Sequence, residues 1–384
     1  MRRLKIVADE KIPFLHGVLE PFADIAYLPG NQIVTENIRE ADALLIRTRT
    51  ICDKSLLEGT SVKFIATATI GFDHIDTVYC QLKNISWRNA PGCNSSSVQQ
   101  YVCSVLLMLA IERKVDLNEK TLGIIGVGNV GSKVREIAGI LGMKVKLNDP
   151  PRAWKEGNAG FVGVNEILET CDIITLHVPL NMEGEDKTYH FFDEQVFGKM
   201  KNGAWLINTS RGEVVDTNSL KAALSSGRLK GAVMDVWENE PTIDLNLLRQ
   251  VSLSTPHIAG YSIDGKANGT SQVVRMLSEF YSLPLLDFYP RPLPAPPFPE
   301  IVVDVTGKST LQAIYQAVLH TYPIWNDHNN LQQSTGTFEQ QRGNYPVRRE
   351  FPAYTVRLLN GNPETAGKLI QLGFTVKAEQ PDCF

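Results

Sequence analysis

The sequence predicts an α/β protein with two doubly wound parallel-sheet domains and a small C-terminal α+β domain. Three observations support this fold class. Short β-rich runs alternate with helical patterns over residues 1–94, and a second alternating series begins at Leu122. A proline-rich stretch, Pro284–Pro299, then precedes a tail over residues 301–384. Alternating strands and helices are typical of parallel sheets covered on both faces, whereas a proline-rich segment forms neither a helix nor a central strand.

The bulk composition is that of an ordinary globular protein. The chain has 384 residues, a length that is enough for two or three domains. Of these residues 43% are hydrophobic and 21% are charged. Its net charge of -4 and pI near 6.0 give it no overall attraction to nucleic acid or to an anionic membrane. We therefore expect neither nucleic acid nor membrane among its partners.

Targeting and cysteine patterns favour a cytoplasmic protein. The apolar run Leu4–Ala8 is too short for the core of a signal peptide and is better interpreted as a strand. The longest apolar stretch, Val102–Ile111, is too short to span a bilayer and is typical of a buried helix. The six cysteines contain no C-x-x-C pair, which argues against a disulfide scaffold and against a metal site. They are Cys52, Cys80, Cys93, Cys103, Cys171 and Cys383.

The first alternating series predicts four strands, with a helical pattern over Asp73–Lys83 and a long apolar helix over Ser95–Arg113. The strands are Leu4–Ala8, Ile25–Leu28, Ala43–Arg47 and Lys63–Thr67. The second series predicts six strands, which complete a doubly wound sheet. They are Leu122–Gly126, Lys144–Leu147, Asp172–His177, Ala204–Asn208, Gly231–Val236 and Val251–Thr255.

These elements suggest a division of the chain into domains. We expect the helix Thr270–Tyr281 to return to the first sheet, and a cleft between the two sheets is the expected place for a ligand. The predicted domains are a substrate or lid domain (1–94 and 268–283), a nucleotide-binding domain (95–267), a linker (284–300) and a C-terminal domain (301–384).

The tail is predicted to contain strands and helices of its own. Ile301–Val305 and Tyr354–Leu359 are typical of strands, Leu311–Tyr322 has the apolar spacing of an amphipathic helix, and Asn362-Pro363-Glu364 is a helix start. A module of this size rarely builds a sufficient core alone. We therefore expect it to complete its core against another surface, which suggests a role in dimerisation.

A glycine-rich turn predicts a dinucleotide site of the Rossmann type. Gly126-Val127-Gly128-Asn129-Val130-Gly131 follows the strand Leu122–Ile125 and opens a helix. The first glycine allows the tight turn, the second allows a pyrophosphate to approach the backbone, and the third allows the helix to pack on the strand. Gly126, Gly128, Gly131 and the intervening Asn129 and Val130 are therefore candidate cofactor residues.

Asp149 favours NAD over NADP as the cofactor. It follows the next strand, about 20 residues beyond the last glycine, where a carboxylate hydrogen-bonds a ribose 2′-hydroxyl and repels a 2′-phosphate. A bare glycine turn followed by an ordinary surface acid would be the simplest alternative. The order of strand, turn, helix, strand and Asp favours the nucleotide site.

Arg211, Glu240 and His257 are the candidate catalytic residues, because each follows a predicted strand of the second sheet. Arginine can grip a carboxylate through two parallel hydrogen bonds. Glutamate beside histidine favours the imidazolium and fixes its tautomer, so that His257 can accept a hydroxyl proton as a hydride leaves. Each residue alone could be an ordinary loop or surface residue. His177, at another strand end, is interpreted as structural or as lining the adenosine side.

These motifs resemble those of the D-isomer-specific 2-hydroxyacid dehydrogenase family over about residues 1–283. The resemblance rests on Asn208-Thr209-Ser210-Arg211-Gly212, Asp235-Val236-Trp237 with Glu240-Pro241, and Pro256-His257-Ile258-Ala259-Gly260. It implies that Arg211 binds the substrate carboxylate, that Glu240 supports His257, and that Asp235 contacts the nicotinamide side. Gly260 is a further candidate cofactor residue. Val178 stands where the family has Ser or Thr, so only a backbone contact to the cofactor is expected there.

Three segments resemble one branch of the family that acts on a phosphorylated hydroxy acid and dimerises through its tail. They are Asn148–Ala153, His257–Ser262 and the proline linker with a tail containing Tyr345–Phe351. This resemblance implies a homodimer and assigns substrate contacts to Thr48, Thr69 and Tyr261.

Two alternatives remain at this point. The chain could act on another acid, such as 3-phosphoglycerate or a simple 2-hydroxy acid, because the catalytic residues do not separate these substrates. It could instead be a non-enzymatic NAD-sensing corepressor on the same fold, because such proteins can retain all three residues.

Overall fold

The computed structural model describes residues 2–378, which form two compact units. The first unit combines the chain up to Asn94 with Ser262–Pro294. The second combines Ser95–Tyr261 with the tail from Ala295 onward. Residues 379–384 lie outside the described residues, and with them Cys383, one of the six cysteines considered in the sequence analysis. Among the helices of residues 2–378, none has the length and apolar character needed to cross a membrane.

The first unit contains a five-stranded parallel sheet in the order β2-β1-β3-β4-β5. Its elements up to Asn94 are β1 (Leu4–Asp9), β2 (Ala23–Leu28), α1 (Thr35–Ile38), β3 (Ala43–Ile46), α2 (Lys54–Leu57), β4 (Phe64–Thr67), α3 (Thr77–Leu82) and β5 (Ser86–Arg88). The four predicted strands are present, whereas the short β5 was not predicted. The helix expected from Asp73 begins only at Thr77, because the Asp76 side chain caps it by accepting from Tyr79 N at 2.8 Å. The order in which successive strands are added to the sheet reverses between β1 and β3, and ligands bind at such a switch point in sheets of this order.

The second unit contains a six-stranded parallel sheet in the order β11-β10-β9-β8-β6-β7. Its elements up to Tyr261 are α4 (Ser95–Ile111), β6 (Thr121–Ile125), α5 (Asn129–Ile140), β7 (Lys144–Asn148), α6 (Pro150–Glu156), α7 (Val164–Thr170), β8 (Ile173–Leu176), α8 (Glu194–Lys199), β9 (Ala204–Asn208), α9 (Thr217–Ser225), β10 (Leu229–Met234), α10 (Leu245–Gln250) and β11 (Leu253–Ser254). All six predicted strands are present. The strand order of this sheet reverses between β6 and β8, beside the glycine turn that follows β6.

Helix α11 (Ile263–Tyr281) belongs to the first unit and begins before the predicted Thr270. Ser262 caps it by accepting from Gly265 N at 2.8 Å. Gly269 allows close packing on the first sheet, because a Cβ there would lie 2.9 Å from the carbonyl oxygen of Ala68. The first turns of α11 consist mostly of small and polar residues, so they lack the apolar spacing from which a helix is predicted.

The tail contains a three-stranded parallel sheet in the order β12-β13-β14. Its elements are β12 (Glu300–Asp304), α12 (Thr310–Thr321), α13 (Ile324–Gln333), α14 (Phe338–Gly343), β13 (Thr355–Leu359), α15 (Pro363–Leu372) and β14 (Thr375–Ala378). Asn362 caps α15 as its sequence indicates, accepting from Thr365 N at 2.8 Å. The sequence predicted a small domain of strands and helices here, but not that its strands pair in parallel. It also did not predict α13, α14 or β14.

The tail completes its core against the nucleotide-binding part of the same chain. Residues of α12, such as Ile314 and Val318, share one buried cluster with Leu106 of α4 and Ile137 of α5. Burial on all sides explains why α4 is apolar almost throughout. The surface that the small tail was expected to need is therefore supplied by its own chain.

Candidate active site

The glycine turn after β6 is closed toward the protein and open toward solvent. Gly126 has φ +87°, and a Cβ there would lie 2.6 Å from the carbonyl oxygen of His177. A Cβ on Gly131 would lie 2.0 Å from the carbonyl oxygen of Gly126. Gly128 is exposed, and a Cβ there would meet nothing within 4 Å. Open space next to the start of α5 is what a dinucleotide pyrophosphate requires, so these residues fit NAD.

Three of the other candidate cofactor residues adjoin this turn. Asn129 and Val130 form the first turn of α5, where backbone N–H groups are suited to bind an anion. Val178 packs over the turn, because its Cγ1 would lie 2.9 Å from a Cβ on Gly126. Val178, which stands where the family has a hydroxyl residue, therefore lines the glycine turn with an apolar side chain.

The carboxylate of Asp149 is held in place beside the same turn. Its Oδ2 accepts from Val127 N at 2.8 Å, and its Oδ1 accepts from Arg152 N at 3.1 Å as the cap of α6. A carboxylate has about four acceptor sites, so capacity remains for a ribose hydroxyl. These two hydrogen bonds thus fix the orientation of the carboxylate on which the predicted preference for NAD rests.

Glu240 and His257 form a hydrogen-bonded pair. Oε2 of Glu240 lies 2.8 Å from Nδ1 of His257, while Oε1 accepts from Trp237 N at 2.9 Å. His257 adopts φ +56°, and its N–H donates to the carbonyl oxygen of Asp235 at 2.6 Å. Because Glu240 holds Nδ1, Nε2 is the ring nitrogen available to a substrate.

The Glu240 carboxyl stays ionised despite its burial. Burial alone would raise its pKa, but the charge of His257, the hydrogen bonds from His257 and Trp237, and the charge of Arg342 together hold the pKa below its usual value. An ionised Glu240 can stabilise a positively charged imidazole, which a proton acceptor needs.

Asp235 pins the loop that presents His257. Its Oδ1 accepts from Thr255 Oγ1 at 2.6 Å and from Ile258 N at 2.8 Å, and its Oδ2 accepts from Ala259 N at 2.9 Å. Burial raises the pKa of Asp235, although the charge of His257 and these hydrogen bonds act in the opposite direction. The sequence indicated a cofactor contact for this residue, and it gave no signal for the loop contacts, which join residues distant along the chain.

Arg211 follows β9 on a loop fixed by its neighbours. Oδ1 of Asn208 accepts from the backbone and hydroxyl of Ser210, and Asn208 Nδ2 donates to the Arg211 carbonyl oxygen at 2.9 Å. A Cβ on Gly212 would lie 1.9 Å from the backbone of Trp237. Glycine therefore allows the Arg211 loop to lie directly against the loop that leads to Glu240.

The candidate substrate residues are divided between the two units. Thr48 is exposed and follows β3, and Thr69 follows the adjacent β4. The Thr69 hydroxyl pairs with that of Thr67 at 2.7 Å and donates to the Gly71 carbonyl oxygen at 2.9 Å. Both threonines thus lie at the carboxyl ends of neighbouring strands of the first sheet.

Tyr261 lies in the second unit, directly after Gly260 and four residues beyond His257 in the chain. Its ring packs edge-on against Tyr345 of the tail, with centroids 5.8 Å apart. The tail therefore supports one wall of the candidate site.

His177 does not have the properties of the base. Burial lowers its pKa to about 3, which keeps the ring neutral. Its nitrogens are hydrogen-bonded with Thr175 Oγ1 at 3.0 Å and Thr209 Oγ1 at 3.3 Å. Its position supports the structural interpretation made from the sequence.

Three further side chains of residues 2–378 are close enough to share a metal ion: His190, Asp216 and Glu238. All three already have other partners. His190 Nε2 is hydrogen-bonded with Glu238 Oε1 at 2.6 Å, Asp216 caps α9, and Glu238 Oε2 accepts from Thr217 N at 2.8 Å. The arrangement is a hydrogen-bonded cluster that joins a loop to the start of α9.

Comparison with known proteins identifies the relatives of both parts of the chain. Residues 108–259 match the family described as D-isomer specific 2-hydroxyacid dehydrogenase, NAD binding domain. Residues 293–373 match a domain of unknown function, DUF3410. The erythronate-4-phosphate dehydrogenase of Bacteroides fragilis is 50% identical over 354 residues, which are 92% of this chain and 99% of the relative. The enzyme of that name from Proteus mirabilis is 38% identical over 97% of this chain and 99% of its own length.

Solved structures of related dehydrogenases share the fold. The D-lactate dehydrogenase of Aquifex aeolicus, complexed with NAD and lactic acid, is 27% identical with a TM-score of 0.63, and the match covers 72% of this chain and 95% of that protein. The NAD-bound 3-phosphoglycerate dehydrogenase of Entamoeba histolytica is 26% identical with a TM-score of 0.62, over 76% of this chain and all of that protein. These matches confirm the predicted fold class, the family resemblance and NAD as the cofactor.

Proposed function

The chain belongs to the erythronate-4-phosphate dehydrogenase family, and we propose that it oxidises 4-phospho-D-erythronate with NAD. The product is (R)-3-hydroxy-2-oxo-4-phosphooxybutanoate, an intermediate of pyridoxal 5′-phosphate (vitamin B6) biosynthesis. The proposal draws its substrate from the names of relatives that match nearly the whole chain, including the tail.

One observation carries the chemistry: Oε2 of Glu240 holds Nδ1 of His257 at 2.8 Å. His257 accepts the proton of the substrate 2-hydroxyl at Nε2, and Glu240 stabilises the imidazolium that forms. Arg211 binds the substrate carboxylate through its planar fork. NAD, when bound, accepts the hydride that leaves C2 of the substrate.

The binding residues proposed for each ligand follow from the same arrangement. For NAD they are Gly126, Gly128, Asn129, Val130, Gly131, Asp149, Val178, Asp235 and Gly260. The phosphate and hydroxyls of the substrate are assigned to Thr48, Thr69 and Tyr261, because hydroxyl groups are suitable hydrogen-bonding partners for both. The two alternatives, a 3-phosphoglycerate-like dehydrogenase and an NAD-sensing corepressor, have less support from the relatives.

The test is NADH formation by the purified protein with 4-phosphoerythronate, 3-phosphoglycerate and lactate in parallel, together with a direct assay of the 2-oxo acid. We expect a strong preference for 4-phosphoerythronate. His257→Asn should lower turnover by about 10²–10⁴-fold while NAD binding, followed by nucleotide fluorescence, stays close to that of the wild type. Preference for another acid would overturn the substrate, and wild-type turnover by the variant would overturn the role of His257.

We also propose the domain roles: a lid from residues 1–94 and 268–283, a cofactor domain from 95–267, a linker from 284–300 and a tail that forms a homodimer. Exposed apolar side chains on the tail support the dimer, among them Phe298, Val302 and Ile370, which are 71%, 48% and 58% exposed. Truncation near Pro290 should yield monomers. Because the tail shares a core with the cofactor domain, the sharper test is sedimentation of the full chain and of Val302→Lys with Ile370→Lys. A wild-type chain that sediments as a monomer would contradict the dimer.

The cytoplasm is the compartment that we propose. Its support is chemical: Cys52, Cys80, Cys93, Cys103 and Cys171 are buried free thiols. Fractionation of cells that express the protein tests this location, and recovery with an extracytoplasmic fraction would contradict it.

A further inference from the structure

Arg342, on α14 of the tail, lies against the acid of the catalytic pair. Its Nη1 is 4.0 Å from Oε2 of Glu240, the same oxygen that lies 2.8 Å from Nδ1 of His257. Nη1 also pairs with Oε1 of Glu339 at 3.2 Å. One carboxylate oxygen of Glu240 thus faces both the imidazole of His257 and the guanidinium of Arg342, which comes from the tail.

The position of Arg342 is fixed by packing. Its side chain is only 17% exposed, and its guanidinium lies 5.8 Å from the ring centroid of Tyr261 and 5.9 Å from that of Phe338. Arg342 is also hydrogen-bonded to the Tyr261 side chain. Phe338 anchors α14, because its ring is 1% exposed within the core of the cofactor domain. These contacts therefore hold the guanidinium of Arg342 in a defined position next to Glu240.

A proton acceptor beside a buried carboxylate faces an electrostatic conflict. When His257 is neutral, a buried Glu240 without another cation would be an uncompensated charge, which is costly. That cost would favour the imidazolium, and an imidazolium is not a base. A second cation on Glu240 removes part of this bias, because it compensates the carboxylate while the imidazole is neutral.

We propose that Arg342 is a positioning residue for the Glu240–His257 pair, which keeps Glu240 in place and compensated while His257 is neutral. Other charged or titratable groups near the pair include Asp235 behind the His257 loop, Glu339 beside Arg342, Tyr261, and Arg348, which donates to the carbonyl oxygen of Ala259. The inference rests on the proposed function, since it concerns the same base, and it gives the tail a direct role in the proton transfer.

The test compares Arg342→Met, which removes the charge at similar length, with Arg342→Lys, which keeps it. Lys368→Met is the matched control, because it removes a tail cation whose ion pair is with Glu364 on the same helix. Two readouts are used. One is the acid limb of the pH profile of kcat/KM for oxidation, and the other is the NMR titration of the His257 ring in the cofactor-free protein, with His257→Asn to assign the signal.

We expect Arg342→Met to move the acid limb and the His257 titration midpoint upward by about one pH unit, because a nearby positive charge has been removed. The resulting loss of kcat/KM should approach tenfold on the acid side of the profile and be small at alkaline pH. Arg342→Lys should restore most of the wild-type profile, and Lys368→Met should leave it unchanged. NAD affinity should be unaffected in all three.

A second variant covers the case in which Arg342→Met does not fold. Glu339→Gln frees Arg342 from its other partner and removes a negative charge, so it should move both readouts downward. Unchanged readouts in a folded Arg342→Met protein, or a uniform loss at every pH, would overturn the proposal, as would an unchanged Glu339→Gln. The NMR titration needs no substrate, so an inactive wild type with the expected shift would overturn the proposed function alone.

Discussion

Arg348 of the tail donates a hydrogen bond from Nη2 to the carbonyl oxygen of Ala259 at 2.5 Å, two residues beyond the proposed base His257. Its guanidinium lies 4.5 Å from the ring centroid of Tyr322, and Arg348 as a whole is only 4% exposed. The end of the His257 loop is therefore held from inside the protein by a cation of the tail. Arg348 lies within Tyr345–Phe351, a segment that the family resemblance includes, but the sequence did not indicate this contact.

Replacement of Arg348 by Met should destabilise the whole cofactor unit. The change leaves Asp327, whose carboxyl is hydrogen-bonded to Tyr322 and Tyr345, without the nearby positive charge. We expect the free energy of unfolding in urea to fall by about 3 kcal/mol. Addition of Asp327→Asn should recover part of this loss, and a single-variant effect below about 1 kcal/mol would contradict the proposed dependence.

The glycine turn provides a matched pair of alanine substitutions. Gly128→Ala adds a methyl group where the protein leaves open space, so its melting temperature should stay near that of the wild type, while NAD affinity should fall about tenfold or more. Gly131→Ala adds a methyl group 2.0 Å from the Gly126 carbonyl oxygen, which should lower stability by about 1–3 kcal/mol. Calorimetry and NADH titration separate the two effects. Normal NAD binding by Gly128→Ala would exclude the proposed pyrophosphate position.

The lowered pKa of Glu240 predicts an acid dependence of stability. A carboxyl with a folded-state pKa below its unfolded value of about 4.5 stabilises the protein above that pH, and the contribution is lost as the pH falls through the folded-state pKa. Glu240→Gln lacks this contribution. Urea unfolding at pH 6 and at pH 3.5 should therefore show a difference between wild type and variant that shrinks at the lower pH. An equal difference at both values would refute the linkage.

Asp149→Ser should weaken the preference for NAD over NADP. The carboxylate that would bind a ribose 2′-hydroxyl is removed, and Arg152, whose backbone N–H it caps, remains nearby. We expect KM for NAD to rise about tenfold and KM for NADP to fall, as measured in initial-rate assays. An unchanged ratio would mean that the preference arises elsewhere.

The sequence was most informative where one element determines its own structure. Apart from the short β5, the strands of these two sheets and the glycine turn follow from local apolar runs and from backbone requirements, and they lie where they were predicted. By contrast, α13 and α14 were missed because their segment is rich in Asn and Gln, and only Ile324, Leu331 and Phe338 of these two helices lie in the main buried clusters.

The candidate site divides in the same way. Strand-end positions indicated Glu240 and His257, because the carboxyl ends of parallel strands meet at one edge of a sheet. The contacts of Asp235 with the His257 loop and of Arg342 with Glu240 join residues that are distant in sequence. No local pattern encodes such contacts, so they could be found only from the folded chain.

The insertion of Phe338 into the core beneath the cofactor sheet has an evolutionary consequence. A tail attached only by a flexible linker could be lost, exchanged or duplicated without harm to the dehydrogenase. This tail instead occupies a cavity that would otherwise open in the catalytic half. Relatives of this type should therefore retain or lose it together with compensating changes in the sheet, and recombination near Pro290 should seldom yield a viable chimera.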